Sequence, residues 1–265
     1  MSLQSMQLEN LRIEVEAQLA WVTIDRPAAL NALNRATIAE LGRAMEACEE
    51  DDAIRVVLLR GAGGKAFVAG ADIRELAELD KAGGMEVSAA GQRVFRHMEQ
   101  MGKPVIAVID GFALGGGCEL AMACTLRLAA ETAKLGQPEV KLGLVAGFGG
   151  TQRLPRLVGR GAALKLLLTG GIIGAQEALR IGLVDEVVSA EALTERARAL
   201  ALEIASNAPV AVARTIDAVD RGLDLALDKA LQVEVEAFGA CCETADMHEG
   251  TRAFLEKRAA RWTGR

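Results

Sequence analysis

The sequence predicts an α/β fold whose last quarter is entirely helical. Three observations predict it. Short apolar runs alternate with helix-spaced segments up to about residue 190, glycine-rich turns join them, and beyond that point only helical spacing remains. With 265 residues, 51% hydrophobic and 25% charged, the chain has enough apolar material for a sizeable core.

Residues 11–15 and 19–24 alternate in the manner of strands, with a turn at Glu16-Ala17-Gln18, so the chain opens with a hairpin. Arg26-Pro27 ends the second strand. Residues 37–49 place Ile38, Leu41, Met45 and Cys48 near helical spacing, with Thr37 or Asn34 able to cap. Residues 55–60 form a β-branched run, and a helix starts near Asp72. Residues 105–109 read as a buried strand, followed by a glycine-rich turn, a helix over 116–124 and a strand over 126–129. Two strands followed by a helix therefore recur loosely, without an exact repeat. The helical quarter divides into 190–206, 209–221, 225–241 and 244–261. Pro209 suits a first helical turn, and Gly222 and Gly239 mark breaks or a kink.

Composition and motif content weigh against several classes of function. Lys plus Arg number 30 against 36 Asp plus Glu, a net charge of −6, so no basic field attracts nucleic acid or an anionic membrane. The start, Met1-Ser2-Leu3-Gln4, has neither the basic cluster nor the apolar stretch of a leader, and no run approaches a membrane span, which predicts a cytoplasmic protein. Cys48, Cys118, Cys124, Cys241 and Cys242 form no C-x-x-C pair and are read as reduced thiols rather than disulfides or zinc ligands. His97 and His248 mark no ligand cluster, so no metal is expected, and no serine sits in a G-x-S-x-G elbow. Gly61-Ala62-Gly63-Gly64-Lys65-Ala66 imitates a dinucleotide loop, but no helix opens after it, and it also lacks the phosphate-loop residues.

Three segments can carry chemistry. In Lys65-Ala66-Phe67-Val68-Ala69-Gly70-Ala71-Asp72-Ile73, the Ala71 amide precedes a helix and can face an anion; a plain structural turn explains the small residues equally. In Asp110-Gly111-Phe112-Ala113-Leu114-Gly115-Gly116-Gly117-Cys118-Glu119, the consecutive glycines disfavour a helix start, each by roughly 0.5 to 1 kcal/mol relative to alanine. Close backbone packing or an oxyanion hole around the Gly116 amide would account for them. Glu119 follows Gly116 by three positions and shares its helix face, either as a dipole-stabilising acid or as a reacting group. In Lys134-Leu135-Gly136-Gln137-Pro138-Glu139, Glu139 sits in a turn among apolar residues. Desolvation could keep it protonated there, unless it is a surface turn acid.

Together these segments resemble the enoyl-CoA hydratase/isomerase (crotonase) family. The resemblance begins at Arg26-Pro27-Ala28-Ala29-Leu30-Asn31-Ala32-Leu33 and runs through the three segments. It continues through Gly149-Gly150-Thr151-Gln152-Arg153-Leu154, Ala178-Leu179-Arg180-Ile181-Gly182-Leu183-Val184 and Glu249-Gly250-Thr251-Arg252-Ala253-Phe254-Leu255-Glu256-Lys257-Arg258. It implies a crotonase-like spiral of ββα units over residues 1–190 as the catalytic core. Residues 191–265 would be a helical oligomerisation region forming a homotrimer or a dimer of trimers. It also implies that the Ala71 and Gly116 amides hold a thioester oxygen. Arg26, Ala28, Leu30, Ala69, Asp72 and Ile73 would contact CoA, and Phe254 and Lys257 would reach a neighbour's ligand. No separate cofactor is implied, because CoA enters as part of the acyl-CoA substrate.

Family members use such a hole for several reactions, and the hydratases pair it with two glutamates. Glu119 and Glu139 stand at both matching positions, so the resemblance implies an enoyl-CoA hydratase, a lyase of acyl-CoA and fatty-acid metabolism. Glu119 would activate water and Glu139 would deliver a proton. A Δ3,Δ2-enoyl-CoA isomerase is the alternative, followed by an RNA-associated, non-enzymatic protein on the same fold and, distantly, a nicotinamide-dependent dehydrogenase. Ala146, Thr125 and Gly171-Ile172 depart from common family patterns and bear on acyl-chain preference and loop geometry. By family analogy, residues 81–98 line the acyl tunnel.

Overall fold

Two sheets grow side by side as the chain advances. A computed structural model describes Leu3 and residues 6–265; Met1, Ser2 and Gln4, part of the start read above, lie outside the described residues. The larger sheet has the order β1-β2-β3-β5-β7-β10 and the smaller β4-β6-β8-β9. The hairpin β1 (Leu11–Glu16) and β2 (Leu19–Ile24) is antiparallel, and its predicted turn contracts to Ala17 and Gln18. Then β3 (Val56–Gly61), β5 (Val105–Ile109) and β7 (Leu126–Ala130) add to it in parallel. Each is followed within a few residues by a short strand of the other sheet: β4 (Ala66–Val68), β6 (Phe112–Leu114) and β8 (Lys134–Gly136). After the opening hairpin, each pair of strands thus advances both sheets by one strand, and the chain winds as a spiral. β9 (Ile172–Gly174) and β10 (Glu186–Val188) complete the two edges.

The central strands of the larger sheet are buried on both faces, which explains their apolar runs. Val57, Leu59, Val105, Ala107 and Ile109 face the core shared with α1 (Arg35–Glu50) and α3 (Lys81–Gln100). The alternate residues, Trp21, Val56, Leu58, Ile106, Val108 and Leu128, face α7 (Leu193–Ala205). α7 covers the sheet with Leu193, Ala197, Ala201 and Ala205, a four-residue spacing of small side chains that lets helix and sheet approach closely.

The helices begin where the sequence supplies caps. Asn34 is the cap of α1, its side chain accepting the Thr37 amide at 2.8 Å. Asp72 caps α2 (Ile73–Ala77), and Asp80 caps α3 by accepting the Gly83 amide at 2.8 Å. The predicted helix 116–124 is α4 (Gly116–Met122), and Gly149 precedes α5 (Gly150–Thr169). After α6 (Ala175–Arg180) and α7 come α8 (Pro209–Gly222), α9 (Leu227–Cys242) and α10 (Ala245–Leu255).

Three expectations need correction. The helix predicted from residue 190 starts at Leu193, because residues 189–192 form a turn closed by the Ala192 amide on Ser189 O. α9 continues through Gly239 without a break. The last helix stops at Leu255, not 261: Lys257 takes a left-handed φ of 55°, and the Arg258 amide bonds back to Ala253 O.

Candidate active site

The spiral brings the starts of α2, α4 and α5 to one place. β4 runs into Ala69–Asp72, where Ala71 pairs with Leu33 in an isolated parallel bridge. The bridge uses the Leu33 amide on Gly70 O and the Asp72 amide on Leu33 O; the Ala71 amide donates to nothing among the described residues. One strand further along the same sheet, β6 turns through Gly115 into α4. Gly115 has φ 49° and ψ −123°, a conformation that needs glycine. The Gly116 amide is first in the helix and has no acceptor among the described residues. A Cβ placed on Gly116 would lie 3.5 Å from the Ala71 nitrogen, so the two free amides share one small space.

The glycine run therefore has both explanations left open by the sequence. A Cβ on Gly117 would sit 2.0 Å from Val68 O, so this glycine exists for contact between α4 and β4. Gly115 serves the turn and leaves room for Glu139, whose Oε1 would be 2.9 Å from a Cβ there.

Glu119 projects from α4 and is 1% exposed. Its Oε1 accepts the Phe148 amide at 2.7 Å and the Gly150 amide at 2.6 Å. Burial pushes its carboxyl up to about 7 despite the Gly150 bond; Glu139 adds to the rise, and the Phe148 amide and Arg153 oppose it. Glu139 opens the 3-10 turn Glu139–Leu142, directly after Pro138. It is half-buried rather than a surface acid, and burial raises it as well. With its amide turned to donate, the buried Gln137 reaches Glu139 Oε1 at 3.0 Å and Oε2 at 3.2 Å. Two carboxyls with raised proton affinity thus lie beside two unpaired amides. Such a site can stabilise negative charge on an oxygen and move protons on either side of it.

A second wall is knitted from residues 26–33 and 69–73. Arg26 Nη2 meets Asp72 Oδ2 at 3.1 Å while Nη1 donates to Ala32 O. Asn31, fully buried, ties the loop to Ala62 O and Ala66 O at 2.9 and 2.7 Å, and the Ala69 amide bonds Leu30 O at 3.1 Å. Ala28, Leu30 and Ile73 are exposed along this wall. The structure brings Arg26, Ala28, Leu30, Ala69, Asp72 and Ile73 together. Phe254 and Lys257 lie at the end of α10, and among the described residues no hydrogen bond joins them to either wall. The fold also uses groups to which sequence reasoning gave no role at the two glutamates: the Phe148 and Gly150 amides that grip Glu119, and Gln137 on Glu139. The Ala71 and Gly116 amides were marked by small residues before a helix, but nothing in the sequence says that the Phe148 and Gly150 amides reach back to Glu119; only Gln137, within the Gln137-Pro138-Glu139 run, had a readable side chain.

Two smaller points follow. Thr125, which departs from the family pattern, accepts the Val105 amide on its hydroxyl at 3.1 Å, capping the start of β5. The Cys118 thiol is buried and pushed up to about 12, which leaves it un-ionised and unsuited to nucleophilic work.

Comparison with known proteins agrees with this geometry. The family model described as "Enoyl-CoA hydratase/isomerase" matches residues 14–265. The short-chain-enoyl-CoA hydratase of Clostridium acetobutylicum is 50% identical over 253 residues, covering 96% of this chain and 97% of that protein. The crotonyl-CoA hydratase of Syntrophomonas wolfei is 50% identical over 255 residues, covering 96% and 98%. Among solved structures, the enoyl-CoA hydratase from Bacillus anthracis superposes with a TM-score of 0.94 at 40% identity, covering 97% of this chain and 100% of that one. The double-sheet spiral, the paired amides and the matched sequence along nearly its whole length all lead to one conclusion: the chain belongs to the enoyl-CoA hydratase/isomerase family.

Proposed function

We propose that the protein is an enoyl-CoA hydratase, reversibly adding water to a short trans-2-enoyl-CoA to give a 3-hydroxyacyl-CoA. The observation that carries this reading is the convergence of Glu119 and Glu139 beside the free amides of Ala71 and Gly116. An amide pair alone would favour any enolate; two carboxyls supply the base and the acid that hydration needs. Both relatives at 50% identity are named as hydratases, one short-chain and one for crotonyl-CoA.

In this mechanism the thioester oxygen accepts hydrogen bonds from Ala71 and Gly116. Glu119, anchored through Oε1 by two amides, uses its other oxygen to take a proton from water as the water oxygen bonds to Cβ. The C=C electrons move toward the thioester, charge gathers on the held oxygen, and Glu139 gives a proton to Cα. Water is thereby divided between the two carbons, and the pair resets when the proton passes from Glu119 to Glu139. Because each carboxyl feels the other, they titrate together.

Arg26, Ala28, Leu30, Ala69, Asp72 and Ile73 are assigned to CoA, with the Arg26–Asp72 pair fixing the wall's shape and Leu30 and Ile73 offering apolar contact. Phe254 and Lys257 are assigned to the ligand of a neighbouring subunit, in a homotrimer or dimer of trimers built through residues 191–265. Supporting this, Leu227, Leu231, Val235 and Phe238 on α9 are 71%, 49%, 62% and 73% exposed. Recurring every three or four residues, they form an apolar face that a single chain leaves bare. A cytoplasmic location fits five unpaired cysteines, which suit a reducing compartment. Among the described residues no helix is long and apolar enough to cross a membrane.

The test is loss of the conjugated enoyl-thioester absorbance with crotonyl-CoA and a series of longer 2-enoyl-CoAs. Wild type should remove the band fastest with the short substrates. Gly116→Pro, which deletes one amide donor, should lower the rate by about 10²- to 10³-fold or more. A folded Gly116→Pro variant with full activity would remove the oxyanion role.

A further inference from the structure

The segment that grips Glu119 is itself gripped from outside. Its amides point inward to the carboxyl; its carbonyls point the other way. Gly147 O accepts from Ser88 Oγ at 2.6 Å and Gln92 Nε2 at 2.9 Å. Phe148 O accepts from Arg153 Nη1 at 2.8 Å. The remaining edge of the same guanidinium closes on Glu99, with Nε to Oε1 at 2.5 Å and Nη2 to Oε2 at 3.1 Å. Ser88, Gln92 and Glu99 share one face of α3, and Phe95 on that face packs edge-on against Phe148 with ring centres 5.7 Å apart.

This contact is built for precision. The Arg153 and Glu99 side chains are only 15% and 18% exposed. A forked, two-point guanidinium–carboxylate pair fixes orientation in a way that a single lysine contact does not. Arg153 therefore has three nitrogens committed, two to α3 and one to Phe148 O, in the peptide that lies between the two whose amides hold Glu119. If Arg153 is lost, Phe148 O loses this partner and the middle peptide of the segment is freed, while Ser88 and Gln92 still hold Gly147 O and the first turn of α5 still holds Gly149 O.

We propose that Arg153, locked by Glu99, is a positioning residue: it fixes the Phe148–Gly150 segment and, through its amides, the orientation and charge state of Glu119. For its kinetic consequence the proposal rests on the hydratase reading; for its effect on Glu119 it does not. The charged groups around Glu119 are Glu139 from the 3-10 turn and Arg153 from α5, with Glu99 from α3 behind the guanidinium. Burial and Glu139 raise the Glu119 carboxyl, while Arg153 and the two amides lower it. Removing Arg153 takes away one lowering charge and frees the Phe148–Gly149 peptide that links the two gripping amides, so both changes act in the same direction.

The experiment pairs infrared titration with kinetics on the full-length protein. The protonated-carboxyl band absent from Glu119→Gln identifies Glu119, and its midpoint is followed in Arg153→Met and Arg153→Lys. In Arg153→Met the midpoint should rise, and kcat with crotonyl-CoA should fall about 10- to 100-fold with KM nearly unchanged. Arg153→Lys should return the midpoint toward wild type but recover little of kcat, because the charge is restored without the fork. An unmoved Glu119 midpoint in folded Arg153→Met overturns the proposal. If that variant does not fold, Glu99→Gln/Arg153→Met leaves no unpaired buried charge, and the same two outcomes decide. A wild type that hydrates no enoyl-CoA overturns the proposed function, and the infrared midpoint alone then decides the role of Arg153.

Discussion

Glu119 sits where a carboxylate is least welcome, and this has a consequence for stability. An exposed glutamate releases its proton near 4.5, whereas burial pushes Glu119 up to about 7. Between those values the folded chain binds more protons than the unfolded chain, so stability falls as pH rises through the window. The cost accumulated by pH 8 is about 3 kcal/mol. Glu119→Gln keeps an oxygen for the Phe148 and Gly150 amides and carries no charge. It should therefore unfold at a higher temperature than wild type at pH 8 and at nearly the same temperature at pH 4.5. Thermal melts at the two pH values check this, and equal differences at both would contradict it. At this scale the sequence was legible where side chains carry the signal: Glu119, Glu139 and the small residues around Ala71 and Gly116 stood in recognisable runs. The anchors of Glu119 were not legible, because Phe148 and Gly150 act through their amides from 29 and 31 residues away.

At the scale of elements, the contact between α4 and β4 sets the oxyanion geometry. Gly117 lies against Val68 O so closely that a methyl group would overlap it, and Val68 O is backbone that cannot rotate away. Gly117→Ala should push α4 off β4, costing about 1–3 kcal/mol in urea unfolding and lowering turnover with it. An alanine variant with wild-type stability would show that the helix start has slack. Which elements were readable follows from length and burial. β1, β2, β3, β5 and β7 span five or six residues each, and the central strands are apolar on both faces, so their runs stand out. β4, β6, β8, β9 and β10 are three residues each, too short to show alternation, and three of them lie in or beside the motif segments where glycines dominate. α3 carries Gly83 and Gly84 in its first turn, poor helix formers that hide its start; the Asp80 cap on the Gly83 amide compensates. The end of α10 was overrun because Glu256 to Arg261 suits a helix by composition, whereas the left-handed Lys257 turns the chain back.

Across the whole molecule, the spiral explains why residues far apart in sequence meet. After the opening hairpin, each pair of strands adds one to both sheets and sets the next turn beside the previous one, so the Ala71 turn, the Gly116 helix start and the Gly150 helix start stack as neighbours. Periodicity gave the fold class and the helical last quarter, but the double-sheet winding came only from the ordered motifs, because non-local strand pairing has no local signature. The exposed face of α9 belongs to this scale as well. Leu231→Glu places a charge in its middle and should leave the far-UV circular dichroism unchanged while reducing the assembly size in sedimentation velocity; an unchanged sedimentation coefficient would move the subunit interface elsewhere. The central claim, that two carboxyls beside a pair of amides perform hydration, is tested most directly by following the enoyl-thioester band of crotonyl-CoA with wild type, Glu119→Gln and Glu139→Gln. Rapid loss of the band with wild type and a fall of about 10²-fold or more in each variant is the predicted result. Near wild-type hydration by either variant would contradict it.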